Sequence, residues 1–177
     1  MLTSFAIVLR IVPLTETSLI IHWLTKNHGL IKTVAKGARR KQSQFAGNVD
    51  LFVTASIAWR VARRGDLHTL CEVAECEYRE PLRHQYTTLL LASYCSQLLE
   101  SALEAEPSDV GPYELLERLL NYLLYHTANL KAMLHFEKEL AKLLGIYHPD
   151  IGAIQVLSEY IGHVPRARSQ LLDSLRT

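Results

Sequence analysis

The sequence has little cysteine, no long apolar run and almost no net charge. Its 177 residues include three cysteines and no C-x-x-C pair, which argues against a disulfide framework and against a zinc site. Lys, Arg, His or Glu interrupts every apolar stretch before it reaches the roughly 18 residues of a membrane-spanning helix. The segment before Pro13 is too short for a signal peptide. We therefore expect a cytoplasmic protein without a membrane span, a metal or another cofactor.

Signatures of common enzyme classes are also missing. The chain has no G-x-x-x-x-G-K-[ST] or G-x-S-x-G motif, and its eight histidines show no H-x-x-x-H spacing. Glu137 and Glu139 are two residues apart, so on a helix they diverge by about 160° and cannot share a site. Only Glu16 and Asp50 precede Arg64 as carboxylates, too few for a metal-dependent hydrolase. We predict that the protein is not an enzyme.

The first 80 residues have the pattern of short β-strands separated by turn signals. Asn27-His28-Gly29 is such a signal, because Asn and Gly accept the positive φ of a tight turn. The predicted strands are Ser4–Val12, Thr17–Thr25, Leu30–Ala35, Val49–Val61 and Leu67–Glu75. Five strands without an intervening helix favour a small closed barrel of the OB type, because closure removes exposed sheet edges.

After Pro81 the apolar pattern takes the helical period of about 3.6 residues. The predicted helices are Tyr86–Ala105, Pro112–His126, Asn129–Leu144, Ile151–Ile161 and Pro165–Leu175. Asn129 is a predicted N-cap, and Gly145 is a predicted C-terminal stop. Short connections favour antiparallel packing. The predicted fold is therefore α+β, with an OB-fold barrel over residues 1–80 and an all-α helical bundle over residues 81–177.

The net charge of +1 hides a difference between the two halves. Residues 1–80 carry 11 basic and 7 acidic side chains, or +4, whereas residues 81–177 carry 8 and 11, or −3. The first 64 residues alone carry ten basic side chains against two acidic ones, or +8. Such asymmetry indicates a partner with phosphate groups.

Two basic clusters carry most of this charge, one in a glycine-flanked loop and one between the fourth and fifth strands. Loops and one sheet face form the usual nucleic-acid groove of an OB fold. Phe45 is a candidate stacking residue, whereas Trp23 and Trp59 lie among alternating apolar residues and are expected in the core. The alternative for the loop is an ordinary solvated turn. The candidate DNA contacts are Lys36, Arg39, Arg40, Lys41, Phe45, Arg60, Arg63 and Arg64.

A basic stripe also follows the third predicted helix. At 100° per residue its members fall within about 60°, opposite the apolar face. They are Lys131, His135, Lys138 and Lys142. The stripe is either the solvated face of a bundle helix or a docking surface for an acidic peptide.

Three segments resemble the bacterial DNA repair family RecO, in the order and at the spacing of that family. They are Pro13-Leu14-Thr15-Glu16-Thr17-Ser18, Thr25-Lys26-Asn27-His28-Gly29-Leu30, and Ala35-Lys36-Gly37-Ala38-Arg39-Arg40-Lys41 with Ser43. The resemblance continues more weakly at Phe136-Glu137, over Leu143–Pro149 and over Arg166–Leu175.

The resemblance implies an OB fold followed by a helical domain, in a recombination mediator without enzymatic activity. Such a protein binds single- and double-stranded DNA in the nucleoid and anneals complementary strands. Together with RecR it helps load RecA onto DNA that is coated with single-strand binding protein. The family's basic OB-fold surface falls on Lys36, Arg39, Arg40 and Lys41, and the acidic tail of single-strand binding protein becomes the natural ligand for the basic stripe.

The chain departs from the family pattern at two places. The family usually has another basic residue where this chain has Gln44. Many members also place two C-x-x-C pairs after the third helix, where residues 145–162 of this chain contain no cysteine. The resemblance is therefore to a short form that lacks the zinc-binding cysteines. These departures leave a rival interpretation, a protein-interaction adaptor whose OB fold has lost DNA binding.

Overall fold

The computed structural model describes residues 1–103 and 109–176, which divide into two compact units. The first unit holds residues 1–78 together with a short segment that ends at Tyr113. The second unit holds residues 79–103 and 114–176. Each unit is described by itself below.

The first unit is a closed five-stranded barrel. Its strands are β1 (Leu2–Pro13), β2 (Leu19–Thr25), β3 (Gly29–Ala35), β4 (Thr54–Arg60) and β5 (Leu67–Glu77), in the order β1-β2-β3-β5-β4. Neighbouring strands are antiparallel except β3 and β5, which run parallel. The predicted OB-type barrel is confirmed.

Alternating residues of the strands fill the barrel. Ile21 and Trp23 of β2 and Ile31 of β3 point inward, as the period of two requires. The indole N–H of Trp23 is hydrogen-bonded inside this core, since it donates to Thr33 Oγ1 at 2.8 Å. Both tryptophans are buried, with Trp23 at 0% and Trp59 at 1% exposure. Their predicted place in the core is therefore confirmed.

The fourth strand begins later than its apolar pattern predicts, at Thr54 rather than at Val49. Phe52 has a φ of 63°, which a β-strand does not tolerate. In addition, the Val53 amide donates to the Asp50 carbonyl at 3.2 Å and closes a turn. The side chains of Phe52 and Val53 are nevertheless buried, which explains why the segment is as apolar as a strand.

The helical part begins with a short 3-10 helix, Glu80–Arg83, which the sequence pattern did not predict. It continues with α1 (Tyr86–Ala102), α2 (Gly111–Tyr125), α3 (Leu130–Leu143), α4 (Ala153–Ile161) and α5 (Ala167–Arg176). Asn129 caps α3 as predicted, because its side chain accepts from the Ala132 amide at 2.9 Å. Gly145 follows α3 with a φ of 70°. The predicted end of the first helix, Ala105, lies outside the described residues.

A buried carboxylate connects three helices of the second unit. Glu137 of α3 is fully buried and accepts from the Tyr94 hydroxyl of α1 at 2.7 Å. From α5, Arg168 Nε donates to Glu137 Oε1 at 2.8 Å and Arg168 Nη2 donates to Oε2 at 3.3 Å. Burial, followed by the nearby Glu137 carboxylate, raises the pKa of Tyr94. Glu139 is less buried and pairs with Lys142, so the two carboxylates diverge as predicted.

Candidate nucleic-acid interface

The basic loop leaves β3 at Lys36 and turns immediately. Gly37 has a φ of 68°, and a Cβ at this position would lie 3.5 Å from Arg40 Cδ. Two successive turns follow, since the Arg40 amide donates to the Gly37 carbonyl and the Ser43 amide donates to the Arg40 carbonyl, both at 3.0 Å. The predicted loop cations, Lys36, Arg39, Arg40 and Lys41, are all exposed. Gly37 thus allows the chain to reverse direction at the point where the four cations are exposed to solvent.

The loop is attached to the barrel at several points. The Gly37 amide donates to Ser18 Oγ at 3.3 Å, and the Arg39 amide donates to the Thr17 carbonyl at 3.0 Å. Further along, Gln44 Nε2 donates to the Cys71 carbonyl of β5 at 3.1 Å. The position where the RecO pattern usually has another cation therefore serves here as an anchor to the sheet.

An open concavity of about 620 Å³ lies along the loop. It is lined by Lys36, Gly37, Arg40, Lys41, Gln42, Ser43 and Gln44. Its lining includes hydroxyl, amide and cationic groups, which are the donors that phosphate oxygens accept from.

Phe45 is not part of this surface. Its side chain is 4% exposed and packs in the barrel core with residues such as Trp23 and Val53. The structure therefore corrects its prediction as a stacking residue, because its ring offers no face to a base. The polar composition around it misled the prediction, whereas its apolar ring follows the ordinary rule and enters the core.

The second basic cluster lies on the other side of β5. Arg60 ends β4, Arg63 and Arg64 lie in the turn before β5, and all three are exposed. Thr69 of β5 is paired with Arg60 on one side and with Val34 of β3 on the other. The loop contacts β5 at Cys71 through Gln44, two residues after Thr69, so the loop that carries the first cluster and the turn that carries the second both adjoin the first half of this strand.

A cross-strand basic row was missed by the sequence analysis. Arg10 of β1 is paired with His22 of β2, and His22 is paired with Lys32 of β3. Arg10 Nη2 lies 3.2 Å from His22 Nδ1. Lys32 Nζ in turn forms an ion pair of 2.7 Å with Asp66 Oδ2. The alternation of β3 predicts that Lys32 points outward. It does not identify the neighbours of Lys32, because these depend on the register between strands.

The second half of β5 has the opposite charge. Glu72, Glu75 and Glu77 are exposed there. Glu75 has a φ of 51°, at the irregular pairing between β4 and β5. The strand therefore passes from a cationic neighbourhood to a carboxylate-bearing one along its length.

In the helical unit, all four members of the predicted basic stripe on α3, Lys131, His135, Lys138 and Lys142, are exposed. Lys138 Nζ lies 5.4 Å and Lys142 Nζ 5.7 Å from the centroid of the Tyr147 ring, within the range of cation–π attraction. Lys142 also pairs with Glu139 at 2.8 Å, and this hydrogen bond lowers the pKa of Glu139. The stripe thus combines ammonium groups with one aromatic ring.

Among residues 1–103 and 109–176, no group of three or more His, Cys, Asp or Glu side chains is placed to hold a metal ion. Within the same ranges, no helix is both long enough and apolar enough to cross a membrane.

The barrel topology and the helices that follow define the class as an OB-fold protein with an appended helical unit. Residues 1–78 match the family model described as "Recombination protein O N terminal". The curated relatives are called DNA repair protein RecO. That of Syntrophotalea carbinolica is 29% identical over 149 residues, which are 84% of this chain and 57% of the relative. That of Rhodopirellula baltica is 35% identical over 79% of this chain and 52% of the relative.

A third RecO protein, from Erwinia tasmaniensis, is 34% identical over 57% of this chain and 40% of its own length. The chain belongs to the RecO family of DNA repair proteins. It spans about half the length of the curated relatives it matches.

Proposed function

We propose that this chain is a DNA repair and recombination mediator whose barrel binds the phosphate backbone of single- and double-stranded DNA. The observation that carries the proposal is the position of two exposed basic clusters on either side of β5, in an OB barrel of a RecO-family chain. The proposed phosphate contacts are Lys36, Arg39, Arg40, Lys41, Arg60, Arg63 and Arg64. Residues 1–80 act as the DNA-binding domain and residues 81–177 as a helical domain for protein contacts.

The mechanism that we propose is strand annealing by charge neutralisation, without catalysis. Two strands repel each other through their phosphates, and cations that contact both backbones remove part of this repulsion. Because the loop is anchored at Ser18, Thr17 and Cys71, its backbone needs little ordering when DNA binds. Phosphate contacts carry no sequence information, and with Phe45 in the core we expect binding to depend little on base sequence.

Partners follow from the family rather than from the barrel. We propose that the chain acts with RecR, in the cytoplasm and at the nucleoid, to help load RecA onto DNA coated with single-strand binding protein. The acidic tail of single-strand binding protein would contact the basic stripe of α3. Two exposed leucines of the same helix, Leu130 and Leu134, offer apolar surface to a bound peptide.

Replacing two loop cations tests the DNA-binding part. We predict that Arg39→Ala with Arg40→Ala weakens single-strand binding and lowers the slope of log K against log salt by about 1.4, since each lost phosphate contact removes about 0.7. Fluorescence anisotropy of a labelled oligonucleotide over a salt series measures both quantities. The control is Lys138→Ala with Lys142→Ala, which removes two cations from the helical unit.

An unchanged slope in the loop variant would refute the assignment of these arginines. Both arginines are exposed, so the fold is expected to persist, and the fluorescence of the two buried tryptophans checks it. Annealing of complementary strands coated with single-strand binding protein, with and without its acidic tail, then separates a mediator from an adaptor. An adaptor would respond to the tail but would not bind DNA in a salt-dependent way.

A further inference from the structure

One ion pair lies between the two basic clusters of the barrel. Lys32 is in the middle of β3, and Asp66 is the last residue of the turn before β5. Their side chains meet at 2.7 Å between Nζ and Oδ2, although they remain 47% and 70% exposed. The hydrogen bond from Lys32 lowers the pKa of Asp66, so this carboxyl group is ionised at neutral pH. Solvent, and therefore a dissolved anion, can reach both groups.

The surroundings of Lys32 are those of a phosphate contact. The basic loop begins four residues later at Lys36, and Asp66 follows Arg64 by two residues. Across the sheet, Lys32 is paired with His22, which is paired with Arg10. Directly paired side chains have Cβ atoms about 4.5–5.5 Å apart. Lys32 thus connects the row Arg10–His22–Lys32 to the two clusters, and the carboxylate of Asp66 occupies this junction.

We propose that Lys32 is a further contact for the phosphodiester backbone of nucleic acid and that Asp66 is an internal competitor for it. This inference rests on the proposed function of the barrel. An exposed ion pair is weak, because water and salt screen the two charges, so a phosphate oxygen can displace the carboxylate. Asp66 then sets the strength of binding, because each binding event must break the pair.

The competitor also changes how binding responds to salt. A phosphate that contacts Lys32 releases its condensed counterion. At the same time the displaced Asp66 carboxylate attracts a cation from solution, which offsets that release. Lys32 therefore adds little to the salt slope while Asp66 is present. Without Asp66, the same contact adds about 0.7 to the slope for a single strand.

A double-mutant cycle with Asp66→Asn and Lys32→Gln tests the inference. We expect Asp66→Asn to tighten single-strand binding roughly two- to fivefold at low salt, a small factor because the exposed pair that is removed is weak. The slope should steepen by about 0.7. In the Lys32→Gln background, Asp66→Asn should lose most of this gain. Anisotropy over a salt series measures all four proteins.

The matched control is Glu72→Gln, which removes one exposed carboxylate from β5. It separates general repulsion from competition at Lys32, because its effect should be smaller and unchanged in the Lys32→Gln background. The inference is overturned if the gain of Asp66→Asn persists without Lys32. It is also overturned if Asp66→Asn leaves binding unchanged or weakens it; weakening would mean that Asp66 pins the turn that carries Arg63 and Arg64.

The loop variant separates this outcome from a failure of the proposed function. If Arg39→Ala with Arg40→Ala lowers the salt slope but Asp66→Asn does not raise it, only the competitor is refuted. If the loop variant keeps the wild-type slope, or the wild type shows no salt-dependent binding, the proposed function fails and the inference fails with it. Tryptophan fluorescence confirms that each variant retains the folded barrel.

Discussion

Arg168→Met tests how the helical unit is held together. Glu137 is only 1% exposed, and its charge is satisfied by one arginine and one tyrosine from two other helices. The arginine side chain is 17% exposed, so it can reach water when it loses its partner, whereas the carboxylate cannot. The consequence of breaking the pair therefore depends on which partner is removed.

The structure allows the loss of stability to be ranked for removal of the arginine, of the carboxylate charge, or of both. Removing one partner of a buried ion pair destabilises a protein by about 3–5 kcal/mol, because an uncompensated buried charge remains. Because Arg168→Met leaves the Glu137 carboxylate buried without its cation, we expect a loss of about 3–5 kcal/mol for this variant. Glu137→Gln keeps an acceptor for Tyr94 and leaves a cation that can hydrate, so about 1–2 kcal/mol is expected. Glu137→Leu combined with Arg168→Met leaves no buried charge and should be more stable than Arg168→Met alone.

Urea unfolding followed by two probes measures these effects. Both tryptophans of the chain lie in the barrel, so fluorescence follows the barrel, whereas far-ultraviolet circular dichroism is dominated by the helices. We expect Arg168→Met to shift the dichroism midpoint and leave the fluorescence midpoint in place. A double variant no more stable than Arg168→Met, or a shift of the fluorescence transition alone, would refute the reasoning.

Two further predictions concern the helical unit. Burial beside a carboxylate raises the pKa of Tyr94, so its contribution to stability is present below about pH 10 and is lost as the pH rises above the value for an unfolded tyrosine. Tyr94→Phe should flatten the alkaline fall of the dichroism midpoint, and an unaltered fall would exclude this hydroxyl as a contributor. Charge reversal by Lys138→Glu with Lys142→Glu should weaken a fluorescence titration with the acidic tail peptide of single-strand binding protein at least severalfold, because attraction becomes repulsion. The control is Arg118→Glu with Arg176→Glu, and equal affinity in both pairs would remove the stripe from the docking site.

Most of the fold follows from local patterns. The period of two and the turn at Asn27–Gly29 predict the first three strands to within about two residues at every end, because one face of each strand is buried. The N-cap at Asn129 is equally local, since its side chain reaches the amide three residues ahead. The start of β4 is the exception, because an apolar segment with a positive φ at Phe52 is buried without being a strand.

The candidate site was only partly predictable, because some of its features join neighbours in the sequence and others join residues that are far apart in it. The basic clusters are contiguous in sequence, and their exposure follows from charge alone. Phe45 was misplaced because the polarity of a loop does not reveal where one aromatic ring packs. The pairs Lys32–Asp66 and Glu137–Arg168 join residues 34 and 31 positions apart, and no spacing rule connects such residues before the topology is known.

The charge of the surface around β5 changes from positive to negative along the strand, and this change orients a bound DNA backbone in the proposed interface. The basic loop contacts the strand at Cys71 through the Gln44 amide, and exposed carboxylates follow from Glu72 onward. A polyanion is therefore attracted to the first half of the strand and repelled from the second half. In the proposed function, the backbone of DNA crosses β3 and β5 between the two clusters instead of following β5 along its length. On this path it meets the ion pair of Lys32, which is why Asp66, and not an acidic residue of the second half, is placed to compete with it.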